Sequence, residues 1–179
     1  MGWLVRTVGG LVVLAVLLAA GLVWYVKPVQ PLDLAYTELP LRDKLASMLV
    51  TRKLEITLTE AEVNQLLKKA LAAHAQVRPD VTITGAKFAQ QGDRLVADVN
   101  LLVGGQLEAG ARLNFDLAWQ EPNLIAVHTG TVIKQAAIPP AWFQLAPLQV
   151  NVNNYLPQLV AVKGFTFEPS GVKLSFKLR

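Results

Sequence analysis

The chain has 179 residues, of which 53% are hydrophobic, and its 17 Lys and Arg against 13 Asp and Glu leave a net charge of +4. The basic residues are scattered, with short pairs such as Arg52-Lys53 and Lys68-Lys69 instead of a run or a one-sided stripe, which argues for a solvated surface and against a nucleic-acid partner. No cysteine is present, which excludes disulfides, thiolate metal sites and a cysteine nucleophile.

From Thr7 to Val26 no residue is charged, and the run Leu11 to Val23 leads into Trp24-Tyr25 just before Lys27. About 20 apolar residues at 1.5 Å rise match a hydrocarbon core of about 30 Å, and a Trp-Tyr pair suits the membrane interface. The spacing therefore predicts a single-pass transmembrane helix, with the bilayer as partner through residues 7–26. A cleaved signal peptide is the competing reading, with Arg6 as its basic region and Ala19-Ala20-Gly21 as its small residues. Leu22 stands where a lipoprotein signal needs its cysteine, so lipidation there is excluded. A short tail inside and a large domain outside gives the expected localisation: cell membrane, with an extracytoplasmic C-terminal domain.

The expected organisation is a tail and transmembrane helix at 1–27, an extended linker at 28–40 and one domain at 41–179. Pro28 and Pro31 favour an extended spacer that holds the domain off the bilayer. Leu41, Leu45, Met48 and Leu49 recur at helical spacing and predict a short amphipathic helix packed on the domain. Leu54 to Leu58 alternates as a strand. Thr59 then stands as N-cap and Glu62 as its capping-box partner, opening a helix over residues 60–75. Val63, Leu66, Leu67, Ala70, Leu71 and His74 share one face of that helix.

From Val81 the period changes to two, with strands expected at 81–90, 94–103, 106–120 and 123–137 and turns at Gln91-Gly92-Asp93, Gly104-Gly105 and Glu121-Pro122-Asn123. In the third strand Leu107, Ala109, Ala111, Leu113, Phe115, Leu117 and Trp119 point one way and Glu108, Arg112, Asn114, Asp116 and Gln120 the other. Long meander strands coil, so the expected fold class is α+β: the N-terminal transmembrane helix, then a long, curved antiparallel meander wrapped on helix 60–75. Residues 141–160 read as partly helical despite Pro147 and Pro157. A hairpin closes the chain, Phe165 to Phe167 and Val172 to Leu178, with a basic face of Lys173, Lys177 and Arg179 whose lysines would guard a sheet edge.

The stretch Leu54 to Leu67, with its Thr59-Glu60-Ala61-Glu62-Val63-Asn64-Gln65-Leu66-Leu67 core, together with the N-terminal apolar helix, the meander and Ile138-Pro139-Pro140, resembles the YpmS-like family of membrane-anchored bacterial proteins. That resemblance implies a domain similar in outline to tubular lipid-binding (TULIP-like) folds, in which a coiled sheet wraps a helix around an apolar channel. It implies no established activity.

His74 and His128 are the two imidazoles, and neither has metal-like spacing to another ligand; His74 reads as a packed or rim residue and His128 as a surface one. No nucleophile elbow, phosphate loop or dinucleotide fingerprint is present, so the chain reads as non-enzymatic, without metal or cofactor. Asn64, one turn into the capped helix, is expected to bond neighbouring backbone and tie helix to sheet. The functional expectation is a groove for a lipid or acyl chain, lined by Val63, Leu66, Leu67, Ala70, Leu71, Leu107, Ala109, Ala111, Leu113, Phe115 and Leu117. A filled core is the equal alternative for those residues. An envelope assembly module with a protein partner is the alternative function.

Overall fold

Gly2–Val26 forms a helix, α1, after which residues 27–40 carry no regular structure and lead into a domain built almost entirely of strands. The computed structural model describes every residue except 1, 41, 42, 45, 49–53, 142, 170 and 179; the side chains of 2–12 and 155 also lie outside the description. The domain contains β1 (Glu55–Thr59), α2 (Glu60–Ala72), β2 (Gln76–Arg78), β3 (Val81–Gln91), β4 (Arg94–Val103), β5 (Leu107–Gln120), β6 (Asn123–Ile133), β7 (Ala136–Ile138), β8 (Leu148–Asn151), a 3-10 turn (Val152–Tyr155), β9 (Val160–Glu168) and β10 (Gly171–Leu178).

Two antiparallel sheets result. The larger runs β2-β3-β4-β5-β6-β7, with β8 added beside β6. Its strands alternate inward apolar and outward polar residues, and Gly104 and Gly105, at φ 59° and 72°, supply the left-handed backbone that closes β4 onto β5. The smaller sheet is β1-β10-β9. Here β1 pairs with the end of the chain, Ile56 facing Leu174 and Leu58 facing Val172.

α2 lies between the sheets and divides its stripe. Val63 and Leu66 pack with the buried Leu58, Val162, Val172, Leu174 and Phe176 of the small sheet. Leu67 and Leu71 pack with Ile83, Ala86, Val99 and Phe115 of the large one. The helix starts where Glu62 N–H donates to the Thr59 hydroxyl and the Glu62 carboxylate accepts from the Thr59 backbone N–H, a complete capping box. The Lys44 ammonium, and after it the Thr59 N–H, hold the Glu62 carboxyl below its ordinary value of 4.5. A depressed carboxyl contributes stability that is whole above its unfolded value and fades as pH falls through the lower native one. Glu62→Gln is thus expected to cost about 1 kcal/mol at neutral pH and to flatten the acid limb of the stability profile, read by chemical denaturation at a series of pH values.

The α+β class with a membrane-crossing helix is corrected. Strand dominates, and the single curved meander around a helix is in fact two sheets with α2 wedged between them. The cause is a long-range pairing: β1 joins the C-terminal hairpin, which local periodicity cannot announce. Among the described residues no helix is long and apolar enough to cross a membrane.

Smaller corrections follow from the same strand pairings. The described residues of 141–160 are not helical apart from the 3-10 turn, because Leu148–Asn151 pairs with β6 instead. The strand expected at 123–137 is two strands, turned at Lys134, whose φ is 54°. Lys173 and Lys177 guard no edge: β10 is the central strand, and the two ammonium groups pair with Glu55 and Glu121. Arg179 lies outside the described residues, as do Leu41, Leu45 and Leu49 of the short amphipathic helix; Met48 is helical and buried against the small sheet.

Candidate functional site

Register across β3, β4 and β5 sets the inward face in rows: Gln90-Leu95-Phe115, Phe88-Ala97-Leu113, Ala86-Val99-Ala111, Ile83-Leu101-Ala109 and Val81-Val103-Leu107. Burial falls along that series. Gln90, Leu95, Phe115, Ala97, Ala86, Val99 and Ile83 are buried and Phe88, Leu113 and Ala111 half-covered in the first four rows, where Leu101 and Ala109 are half-covered too, whereas Val81, Val103 and Leu107 of the last row are all half-covered. α2 ends at Ala72, and its Leu67 and Leu71 pack in the cluster that holds Ile83, Ala86, Leu95, Ala97, Val99 and Phe115. Val81, Val103 and Leu107 stand outside that cluster.

The eleven residues expected to line a groove therefore separate. Leu67, Leu71, Ala111, Leu113, Phe115 and Leu117 meet in one apolar cluster. Val63 and Leu66 belong to the other. Ala70 is exposed, and Leu107 and Ala109 sit half-buried at the open end of the sheet. That end also receives α1: the Lys134 ammonium, in the β6–β7 turn, lies 5.3 Å from the Trp24 ring and 5.1 Å from the Tyr25 ring, a cation–π contact with both. The described part of α1 exposes Val16, Leu17, Leu18 and Leu22 by 62–66% each.

The opposite face of the large sheet carries a strap. Gly85, Asn100 and Gly110 stand side by side on β3, β4 and β5, and residues 28–33 cross them. A Cβ at Gly110 would lie 2.9 Å from Pro28 Cα, and one at Gly85 would overlap the Leu32 carbonyl. Asn100, 8% exposed, donates from Nδ2 to the Gln30 carbonyl at 2.8 Å, and Ala86 N–H donates to the Asp33 carbonyl at 3.1 Å. Beyond it, Lys68 pairs with Asp33 and Lys69 with Glu38. The prolines that suggest a free spacer lie in a segment seated on the domain. Two isolated glycines inside strand patterns are the available signal, since a strand glycine often marks the close approach of another backbone.

Polar residues supply three ties. Asn64 Oδ1 accepts from Phe88 N–H at 2.8 Å, anchoring α2 to the edge of β3. Gln90, 2% exposed, donates from Nε2 to the carbonyls of Gly92, Glu168 and Gly171, joining the β3–β4 turn to the β9–β10 turn. His128 is not a surface residue: at 4% exposure it meets Thr131 Oγ1 through Nε2, accepts from Leu145 N–H at Nδ1 and packs between Phe115 and Phe143. A β-bulge between Asn114 and Phe115 puts Phe115 opposite His128 and turns the imidazole inward. His74 is exposed just past α2. Among the described residues no cluster of His, Cys, Asp and Glu could hold a metal ion.

No protein family, curated protein or solved structure matches the chain.

Proposed function

We propose that the protein is a membrane-attached, extracytoplasmic, non-enzymatic domain that takes a lipid acyl chain against the half-covered end of its large sheet. The observation that carries this reading is the burial gradient: apolar rows continue past the end of α2, and the uncovered rows lie at the end of the domain that meets α1. An acyl chain laid over Leu101, Val103, Leu107 and Ala109 would remove from water the apolar area that α2 leaves uncovered. Exposed apolar side chains on α1 supply attachment to the bilayer, where such a chain is available. The YpmS-like resemblance agrees with a sheet-and-helix lipid site.

Native mass spectrometry of the full chain in detergent tests the reading against Ala109→Trp. The indole would occupy the uncovered rows while leaving the buried clusters in place. Lipid held by α1 is common to both proteins, so the difference reports the sheet. The expected result is a stoichiometric lipid on the wild type, reduced about tenfold in the variant, which corresponds to about 1.4 kcal/mol of binding energy. Equal lipid occupancy in the two proteins would sink the proposal.

A further inference from the structure

On the outer face, where α1 gives way to the strap, a recess of about 350 Å³ opens between strap and sheet. Lys27, Pro31 and Leu32 line it from one side and Thr84, Asn100 and Glu108 from the other. That volume falls within the range of small-molecule clefts. Its polar walls are partly committed: Asn100 Nδ2 holds the Gln30 carbonyl, and the Thr84 hydroxyl donates to the Asn100 carbonyl at 3.3 Å. Its two charges are not, for among the described residues neither Lys27 nor Glu108 forms an ion pair.

We propose that this recess binds the zwitterionic headgroup of an ethanolamine phospholipid, with Lys27 on the phosphate and Glu108 on the ammonium. A lone anion would meet the Glu108 carboxylate, and a lone amine the Lys27 ammonium; a ligand that carries both charges a few bonds apart satisfies both walls. Lys27 stands two residues after Tyr25 and three after Trp24, residue types that settle at the headgroup level, so the recess would lie where headgroups are. The source of the ligand rests on the membrane attachment proposed above, whereas the charge recognition does not. This site is separate from the apolar rows, which are on the other face of the sheet.

The test is an NMR titration of the full chain in an uncharged detergent, following the Asn100 side-chain amide, with O-phosphoethanolamine and glycerol 3-phosphate as soluble probes. Saturable shifts are expected with both, and with a preference for phosphoethanolamine of about threefold to tenfold, the range for one partly exposed charge contact. Glu108→Gln should abolish the preference and Lys27→Gln should weaken both probes; both side chains are exposed, so folding is retained. Equal affinity for the two probes in the wild type, or an Asn100 amide that does not move, overturns the proposal. In nanodiscs, replacing phosphatidylglycerol with phosphatidylethanolamine should reproduce the Asn100 shift. Absence of that shift overturns the lipid as source. Because the probes carry no acyl chain, failure here leaves the acyl-chain reading standing, and failure of that reading leaves this titration unaffected.

Discussion

Gly85→Ala is expected to destabilise the protein by about 2–4 kcal/mol, through overpacking at the strap and the loss of its buried bonds. The added methyl would overlap the Leu32 carbonyl, which belongs to backbone and cannot rotate away. The strap must then lift. Lifting it breaks the bond between Ala86 N–H and the Asp33 carbonyl and the one between Asn100 Nδ2 and the Gln30 carbonyl, the second made by a side chain only 8% exposed. Gly164→Ala is the control: it lies in β9 opposite Ser175, where a new methyl would meet nothing within 4 Å, and should be neutral or slightly stabilising. Chemical denaturation of the full chain measures both. If the two variants unfolded at the same denaturant concentration, the strap would not be seated as described.

Gln90→Glu should cost more, about 3–5 kcal/mol near neutral pH, because a buried carboxylate would face three carbonyl oxygens. Gln90 is 2% exposed, and its Nε2 donates to Gly92 at 2.8 Å, Gly171 at 3.1 Å and Glu168 at 3.3 Å. The change keeps shape and removes every donor. Burial and the carbonyl lone pairs both favour the protonated acid, which can donate one of the three bonds. The penalty relative to wild type is therefore expected to shrink as pH falls through about 4 and to grow as pH rises. Gln90→Met removes the donors without adding charge and should show no such dependence. A penalty for Gln90→Glu that did not change with pH would mean that the side chain escapes to solvent and that the two sheets are not joined here.

Much of the local structure is legible in the order of residues. Thr59 and Glu62 announce α2 because a capping box is made by residues three apart, and Leu107 to Trp119 announce β5 because alternation is a property of the pleat. The hairpins of the large sheet follow from Gly92, Gly104-Gly105 and the Glu121-Pro122-Asn123 turn. The stripe on α2 is visible too, but not its division, since Val63 and Leu66 differ from Leu67 and Leu71 only in which sheet they meet. His128 reads as a surface residue for a similar reason. Its burial depends on pairing with Phe115 across a bulge and on Phe143 and Leu145 folding over it, partners 13 to 17 residues away along the chain.

The sequence by itself determined β1, β3, β4 and β5, where α2 begins and which of their faces are apolar, because those outcomes depend on neighbours within a few residues. Only the tertiary structure decided that β1 pairs with β10, that α2 is a wedge between two sheets, and that residues 28–33 lie across Gly85, Asn100 and Gly110. Each of those outcomes brings together groups far apart along the chain. The ordering entropy such contacts cost is recovered only when all of them form at once, so no single segment carries the signal.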